Sequence, residues 1–180
     1  MEFRLIAAAA LLVAAPLAAM AQPAKISKTT TPEVALTALM AEGCAPYLLD
    51  KTPLAVSFKG RGRAVTLRGD PGVLLPTAEP IGALEQNGGC YVRVDKGDGA
   101  VFREAVIKAV AGISDRPLRT VSDGGPAAND GRGRYRQEIY CFGLKGKTAG
   151  MVISSSDDGS HAALQVTANL DASGRCASAG

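Results

Sequence analysis

The segment from Tyr135 to Leu170, YRQEIYCFGLKGKTAGMVISSSDDGSHAALQVTANL, contains three apolar runs separated by two short polar stretches, KGK and DDG. Each polar stretch contains glycine and is typical of a tight turn between two strands. Connections this short join antiparallel neighbours, because a parallel pair needs a crossover of a dozen or more residues. The segment therefore predicts a three-strand antiparallel meander.

The preceding stretch from Cys90 to Ile113, CYVRVDKGDGAVFREAVIKAVAGI, changes its period at the acidic, glycine-rich DKGDG. Its first residues alternate between apolar and polar, which predicts a strand with one buried face, and from Asp98 onward apolar residues recur at helical spacing. Asp98 is well placed to cap that helix. A calcium loop would need oxygen ligands at Gly97 and Gly99, and no GxGxxG occurs. We therefore interpret DKGDG as a strand-to-helix turn.

The N-terminal half predicts a helix, a hairpin and a loop. The helix begins at the cap Thr31, and Gly43 stops it. The stretch LAVSFKGRGRAVTLRGD alternates around a glycine-rich turn and predicts a hairpin, whereas the many glycines and prolines of residues 69–89 predict mostly loop. The fold class is thus α+β: an antiparallel sheet, made of the hairpin and the C-terminal three-strand meander, with two helices packed on it. We expect one such domain over residues 31–180.

Residues 1–21 have the layout of a secretory signal peptide. Arg4 precedes an apolar run, and the run ends in Ala19, Met20 and Ala21, so we expect cleavage after Ala21. The run is broken by Pro16 and is shorter than a membrane-spanning helix. We therefore expect a periplasmic or secreted bacterial protein with no transmembrane segment in the mature chain, in which residues 22–30 form a flexible lead-in.

The four cysteines are Cys44, Cys90, Cys141 and Cys176. An even number of cysteines in an oxidising compartment indicates two disulfides, although the sequence allows three pairings. We favour Cys44 with Cys90 and Cys141 with Cys176, because these are the nearest neighbours along the chain. No CxxC motif or second histidine is present to support a redox or zinc site.

The formal net charge of +3 is mild, and the chain contains few aromatic residues and no tryptophan. These features do not indicate a nucleic-acid partner. The sequence GRGR occurs twice, at residues 60–63 and 131–134, and an arginine set around these copies is a candidate anion-binding site: Arg61, Arg63, Arg132, Arg134 and Arg136. The alternative is that these arginines only keep turns and strand edges soluble.

The sequence nominates no catalytic residue, cofactor or metal site. His161 is the only histidine, and neither GxSxG nor SxxK occurs. A triad with a serine or carboxylate close to His161 stays conceivable, although the surrounding SSSDDGSH is typical of a turn. The residues concerned are Ser154, Ser155, Asp157 and Ser160. Five acids are candidates for paired carboxylates, but their spacing selects no pair: Glu79, Glu85, Asp123, Asp130 and Glu138.

These observations favour a non-enzymatic, disulfide-stabilised protein of the cell envelope that has a binding or structural role. Its partner would be another protein or an envelope component, bound by the exposed sheet face or the loops. Two alternatives remain open: an envelope hydrolase that uses loop carboxylates, and an inhibitor of a wall-degrading enzyme. Many wall-degrading enzymes are basic, and an inhibitor with a net charge of +3 would be a poor electrostatic match to one of these.

Overall fold

An antiparallel β-sheet forms one layer of the protein, and helices pack against one face of this sheet. The computed structural model describes residues 23–122, 128–129, 134–156, 158, 161–170 and 176, and it describes only the backbone of residues 128, 129 and 134. The predicted signal peptide and its predicted cleavage point lie outside these residues. The predicted α+β class, with helices on an antiparallel sheet and two disulfides, is confirmed.

Eight strands form the sheet in the order β1-β2-β3-β4-β9-β8-β7-β5, and the short β6 pairs with β7 outside this path. The strands are β1 (Arg63–Leu67), β2 (Asp70–Leu75), β3 (Ile81–Gln86), β4 (Gly89–Val94), β5 (Arg119–Ser122), β6 (Ala128–Asn129), β7 (Arg134–Leu144), β8 (Lys147–Ser155) and β9 (Leu164–Leu170). Consecutive strands β1 to β4 form one meander, and β7 to β9 form another. The last strands of the two meanders, β4 and β9, pair at the centre of the sheet.

The helical layer begins with one continuous helical run, made of α1 (Pro32–Ala38), a π-helical segment (Leu39–Cys44) and α2 (Ala45–Asp50). The short α3 (Leu54–Ser57) and the long α4 (Gly99–Ile113) follow. α1 packs beside α4, α3 packs on β2 and β3, and α4 packs on β7, β8 and β9. A single hydrophobic core fills the space between this layer and the sheet.

The helical run does not stop at Gly43, as the sequence predicted; it continues through this residue to Asp50. Lys51 ends the run instead, in the left-handed conformation with a φ of 57°. Gly43 is required for space. A Cβ atom at this position would lie 2.7 Å from Cε2 of Phe58 and 3.1 Å from Cδ2 of Leu54, and both of these side chains are fully buried.

We predict that Gly43→Ala lowers the free energy of unfolding by roughly 1–3 kcal/mol, because the added methyl group overpacks the contact with the Phe58 ring. Gly112 on α4 is the matched control, since a Cβ atom there meets nothing within 4 Å. Gly112→Ala should raise the same free energy by about 0.5–1 kcal/mol through helix propensity. Urea denaturation of the two variants checks the signs. Stabilisation by both substitutions would show that Gly43 acts only as a weak helix former.

The predicted hairpin lies further along the chain than the sequence indicated. Its expected first strand is helix α3, because Leu54 and Phe58 are four residues apart and are both fully buried, whereas Val56 between them is 61 % exposed. The hairpin is formed by β1 and β2 around Arg68 and Gly69. The expected loop at 69–89 contains β2 and β3, so its glycines and prolines stand within and beside strands.

The rest of the secondary-structure prediction agrees with the structure. β4 and α4 follow the predicted strand and helix, and Oδ1 of Asp98 accepts hydrogen bonds from the backbone of Ala100 and Val101 at 2.9 and 3.1 Å. DKGDG therefore connects a strand to a helix. The C-terminal meander is β7, β8 and β9.

The described part of the lead-in, residues 23–30, contacts the domain. Ile26 is buried in the core. The backbone N–H of Ala24 donates to Oε1 of Glu42 at 3.2 Å, and the carbonyl of Ala24 accepts from Nη1 of Arg61 at 3.1 Å. Residues 23–30 are thus held by one buried side chain and two polar contacts.

Both favoured disulfides are present, with Cα–Cα distances of 5.4 Å for Cys44–Cys90 and 5.6 Å for Cys141–Cys176. Cys44 belongs to the π-helical segment and Cys90 to the central strand β4, so this bond joins the helical layer to the middle of the sheet. The second bond attaches Cys176 to β7. The sulfur of Cys176 lies 3.6 Å from where a Cβ atom of Gly150 would be, so this bond reaches over β8.

Candidate binding face

The sheet face that points away from the helices, which we call the outer face, carries a group of apolar side chains in its β1–β4 half. Side chains on a strand alternate between faces, and the helix-facing set in β2, β3 and β4 is almost completely buried. The alternate positions carry Leu74, Leu84 and Tyr91, which are partly exposed. Open faces of antiparallel sheets are usually polar, so these side chains are a feature that needs an explanation.

Strand register places the apolar side chains of the outer face next to one another. Leu84 of β3 lies opposite Tyr91 of β4, and Gly72 separates Leu84 from Val65 of β1. Because neighbouring positions in a row are one strand spacing apart, residues that are distant in sequence form one continuous surface. The row continues through Thr167, Val152 and Ile139 on the far half of the sheet.

A depression of about 340 Å³ opens on this face over β1–β4. Leu74, Leu84 and Val65 line its apolar part, and Gly82, which contributes no side chain, leaves space between them. Arg93 and Asp95 lie at its polar end. The volume is at the lower end of the range for small-molecule pockets, and an apolar floor beside a few polar groups is the usual composition of a binding site.

The polar end of the depression is an ion pair on β4. Nε of Arg93 donates to Oδ1 of Asp95 at 2.6 Å, and both side chains are about half exposed or more. The hydrogen bond to Asp95 raises the pKa of Arg93 above its ordinary value, partial burial opposes this, and Tyr91 adds to the rise. Tyrosine and arginine beside aliphatic side chains are the residues that most often dominate protein interfaces.

The candidate arginines do not gather at one place. Arg61 is engaged within the domain: its guanidinium binds the Glu42 carboxylate and the Ser57 carbonyl and lies over the Phe58 ring. Arg63 lies on β1 and Arg136 on β7, six strand steps of roughly 4.8 Å apart, or about 29 Å. Strand register also places Arg63 and Arg136 on opposite faces of the sheet, so these two residues cannot bind one small anion together.

The side-chain positions of the other two candidate arginines are not described: Arg132 lies outside the described residues, and Arg134 is described by its backbone alone. The anion-binding hypothesis therefore stays a prediction, and the Arg61, Arg63 and Arg136 positions do not add to it.

Arg136 belongs to a charge cluster on the helix-facing side, which is centred on the buried carboxylate of Glu138. Glu138 of β7 is 3 % exposed and receives both Nε and Nη2 of Arg103 from α4, the latter at 2.8 Å. Nη2 of Arg136 lies 3.1 Å from the same carboxylate, and Nη2 of Arg103 also donates to the Tyr140 hydroxyl at 3.3 Å. The hydrogen bonds to Glu138 raise the pKa of Arg103, against the effect of burial. This cluster joins α4 to the sheet.

Two of the five candidate carboxylates have structural roles. Glu138 is in the charge cluster, and Oε1 of Glu85 accepts from the backbone N–H of Leu54 at 2.7 Å, where it caps α3. Glu79 is exposed in the β2–β3 connection. Asp123 and Asp130 lie outside the described residues. The distances between the carboxylates of the proposed hydrolase therefore cannot be measured for any pair that includes these two residues.

The surroundings of His161 show an aromatic contact. Its ring is 5.2 Å from that of Tyr135 at an angle of 75°. Ser154 lies on the outer face, where its hydroxyl is 3.3 Å from Nε2 of Gln137, while Ser155 points to the buried side of the same strand. Asp157 and Ser160 lie outside the described residues. A catalytic role for His161 is not supported by any of these contacts.

The described residues contain no cluster of three or more His, Cys, Asp or Glu side chains that would suit a metal ion. Within the same residues, no helix is both long and apolar enough to cross a membrane. Comparison of the chain with protein-family models, curated proteins and solved structures finds no match. The function must therefore be argued from the contacts of the chain itself.

The sequence analysis proposed an exposed sheet face as a binding surface but did not identify the residues that form it. The alternation in β4 indicated which residues are buried and gave Tyr91 and Arg93 no role. Leu74 and Leu84 fell in a region interpreted as loop. The signal that marks β3 and β4 as a hairpin is Asn87–Gly88, a dipeptide typical of two-residue turns, whose φ angles are 50° and 77°.

Proposed function

We propose that this protein is an exported, non-enzymatic binding protein of the bacterial cell envelope, which holds a protein partner on the outer face at β1–β4. The observation that carries the proposal is the continuous apolar surface of Val65, Leu74, Leu84 and Tyr91, which ends at the Arg93–Asp95 pair. A contiguous apolar patch with a polar margin is typical of an interaction site.

The predicted compartment is supported by the use of cysteine. One disulfide joins the helical layer to β4, the other attaches Cys176 to β7, and Cys44 and Cys90 are buried in the core. Disulfides of this structural kind persist in the periplasm and outside the cell and are rare in a reducing cytosol. Disulfides also make the scaffold rigid, and a preformed binding face loses little entropy when a partner binds.

The helical layer offers a second surface for comparison. A groove of about 370 Å³ lies between α1 and α4, with Val34 and Val101 exposed at 48 % and 42 %. Its floor is made of alanines, Ala38, Ala41 and Ala105, and its margin carries both acidic and basic side chains. No tyrosine or arginine is among the described residues that line this groove, and these residue types are enriched at the centres of interfaces, so we favour the outer face.

Site-specific photo-crosslinking in the bacterium that produces the protein tests this proposal. A benzoylphenylalanine at Leu84 should form adducts with a small set of envelope proteins, identified by mass spectrometry. The matched control carries the same group at Val34, an exposed apolar position in the α1–α4 groove. Tyr91→Asp in the Leu84 variant should abolish the adducts. The same adducts from both positions, or none from Leu84, would contradict the outer face as the binding surface.

A further inference from the structure

β1 stands at one end of the sheet, and within the described part of the chain β2 is its one strand neighbour. Four of its five residues are exposed, and Val65 is the exception. An end strand presents unpaired backbone N–H and C=O groups along its free side, which is a template for a strand from another molecule.

The turn geometry identifies the residues that present these groups. Arg68 and Gly69, with φ angles of 54° and 95°, form a two-residue turn between Leu67 and Asp70. The pair that flanks such a turn is hydrogen-bonded, and bonded and non-bonded pairs then alternate along the ladder. Ala64 and Thr66 therefore direct their backbone groups outward. Pro71, which has no N–H, stands opposite Thr66 and agrees with this assignment.

The two ends of the sheet differ in their protection. At the β5 end, the pairing with β7 has a bulge between Thr120 and Ser122, and Arg119 donates to the backbone carbonyl of Cys176 at 3.4 Å. β1 pairs regularly with β2 over five consecutive residues and carries neither proline nor charge between Ala64 and Leu67. Bulges, prolines and charges are the usual devices against strand addition, and in β1 the one such feature is the charge of Arg63 at its first residue.

The side chains around β1 suit the apolar residues of an added strand. Val65 and Leu67 belong to the outer face beside the depression, and Leu67 is 56 % exposed. On the helix-facing side, Ala64 and Thr66 are exposed, and Val56 of α3 is exposed at the same end of the sheet. A strand that pairs with β1 would place alternate side chains next to Val65 and Leu67, in continuity with the proposed binding face.

The positive charges around β1 indicate which kind of partner strand would bind there. Arg63 and Arg68 stand exposed at the two ends of β1, and Lys59 precedes them. The nearest acid on β2, Asp70, accepts from Nε2 of Gln86 at 2.8 Å. A second copy of this chain is a poor match, because antiparallel pairing of two β1 strands brings Arg63 of one copy close to Arg68 of the other.

We infer that β1 pairs with an extended segment of the partner protein whose apolar side chains alternate and whose ends are acidic, as in strand addition to a sheet edge. The inference rests on the proposed function, and it specifies the partner and the way it is held.

The test uses the exported chain with both disulfides formed and a fluorescein-labelled peptide, Glu-Val-Thr-Val-Thr-Val-Glu, with fluorescence anisotropy as the readout. We expect saturable binding with a Kd at least about tenfold lower than that of Lys-Val-Thr-Val-Thr-Val-Lys, because Arg63 and Arg68 attract the acidic ends and repel the basic ones. Added salt should reduce this difference.

Two sets of variants separate strand addition from adsorption. Thr66→Pro removes an outward N–H and should weaken binding at least about tenfold, whereas the control Thr66→Val should change it less than about twofold. Arg63→Glu combined with Arg68→Glu leaves the backbone of β1 intact and should reverse the preference between the two peptides. This second variant keeps the inference testable even if Thr66→Pro does not fold.

Several results would overturn the inference: equal binding of both peptides, no saturation below about 1 mM, or unchanged binding by folded Thr66→Pro. A dimer in analytical ultracentrifugation that Thr66→Pro dissociates would assign β1 to a second copy instead. Crosslinks from Leu84 that persist in Thr66→Pro would keep the proposed face and reject strand addition. Peptide binding without any crosslinks from Leu84 would support strand addition at β1 and reject the proposed binding face.

Discussion

Replacement of both Cys44 and Cys90 by alanine is expected to lower the free energy of unfolding by about 4 kcal/mol, because the bond closes a chain segment with a separation of 46 residues. Net stabilities of small proteins are roughly 5–15 kcal/mol, so this is a large fraction. The melting temperature should fall by about 10 °C. Guanidinium denaturation and calorimetry of the oxidised parent and the variant measure both quantities.

The second disulfide supplies a matched control. Cys141 and Cys176 are separated by 35 residues, so the chain-entropy contribution of their bond is almost the same. Cys44 and Cys90 are 1 % and 0 % exposed, and the removal of their sulfur atoms also leaves a cavity between the helical layer and β4. We expect the Cys44/Cys90 variant to be the less stable of the two by about 1 kcal/mol. Equal losses would mean that the buried position of this bond adds nothing beyond chain closure.

Arg103→Met is expected to lower the free energy of unfolding by about 3 kcal/mol, since it leaves the buried carboxylate of Glu138 without its bidentate partner. Arg136 still contacts Glu138, which places the expected loss at the lower end for a broken buried pair. The measurement is urea denaturation at neutral pH, where the Glu138 carboxylate must be buried without the positive charge of Arg103.

A double variant distinguishes the loss of a partner from the intrinsic value of the ion pair. Arg103→Met combined with Glu138→Leu should recover most of the stability, because an apolar pair of similar volume can replace a buried ion pair at little cost. Arg93→Met is the control for arginine loss in general. Its partner Asp95 is largely exposed, so its removal should cost about 1 kcal/mol or less. A double variant as unstable as Arg103→Met alone would show that Glu138 itself contributes to folding.

The parts of the fold that could be predicted are those where local sequence and tertiary structure require the same conformation. In α4 the apolar period, the Asp98 cap and the preceding turn all agree, and the helix begins where the cap predicts. In β7, β8 and β9 the apolar runs also form strands, and Lys145 and Gly146 of KGK form the predicted turn between β7 and β8. The prediction failed at residues 54–58, where the spacing of Leu54 and Phe58 fits both a strand face and a helical turn. Glu85, 31 residues further on, accepts from the backbone N–H of Leu54 and favours the helix.

The candidate site was less predictable than the fold. Arg103 was not selected, because its partner Glu138 lies 35 residues away and nothing in the local pattern connects them. The arginines around the two GRGR copies suggested one anion site, but nothing in the local sequence indicated that Arg63 on β1 and Arg136 on β7 lie six strand steps apart. Similarity in sequence does not carry information about which strands become neighbours.

The sequence by itself determined the turn between β7 and β8, the helix cap and the alternation of β4, because each of these depends on residues close together in the chain. The disulfide pairing was only favoured, since the paired cysteines are 46 and 35 residues apart. Only the tertiary structure decided that Val65, Leu84 and Tyr91 form one surface and that β1 stands at the end of the sheet. Register and strand order result from the packing of the whole core against the helices. The proposed binding face and its edge therefore exist only once the strands have paired.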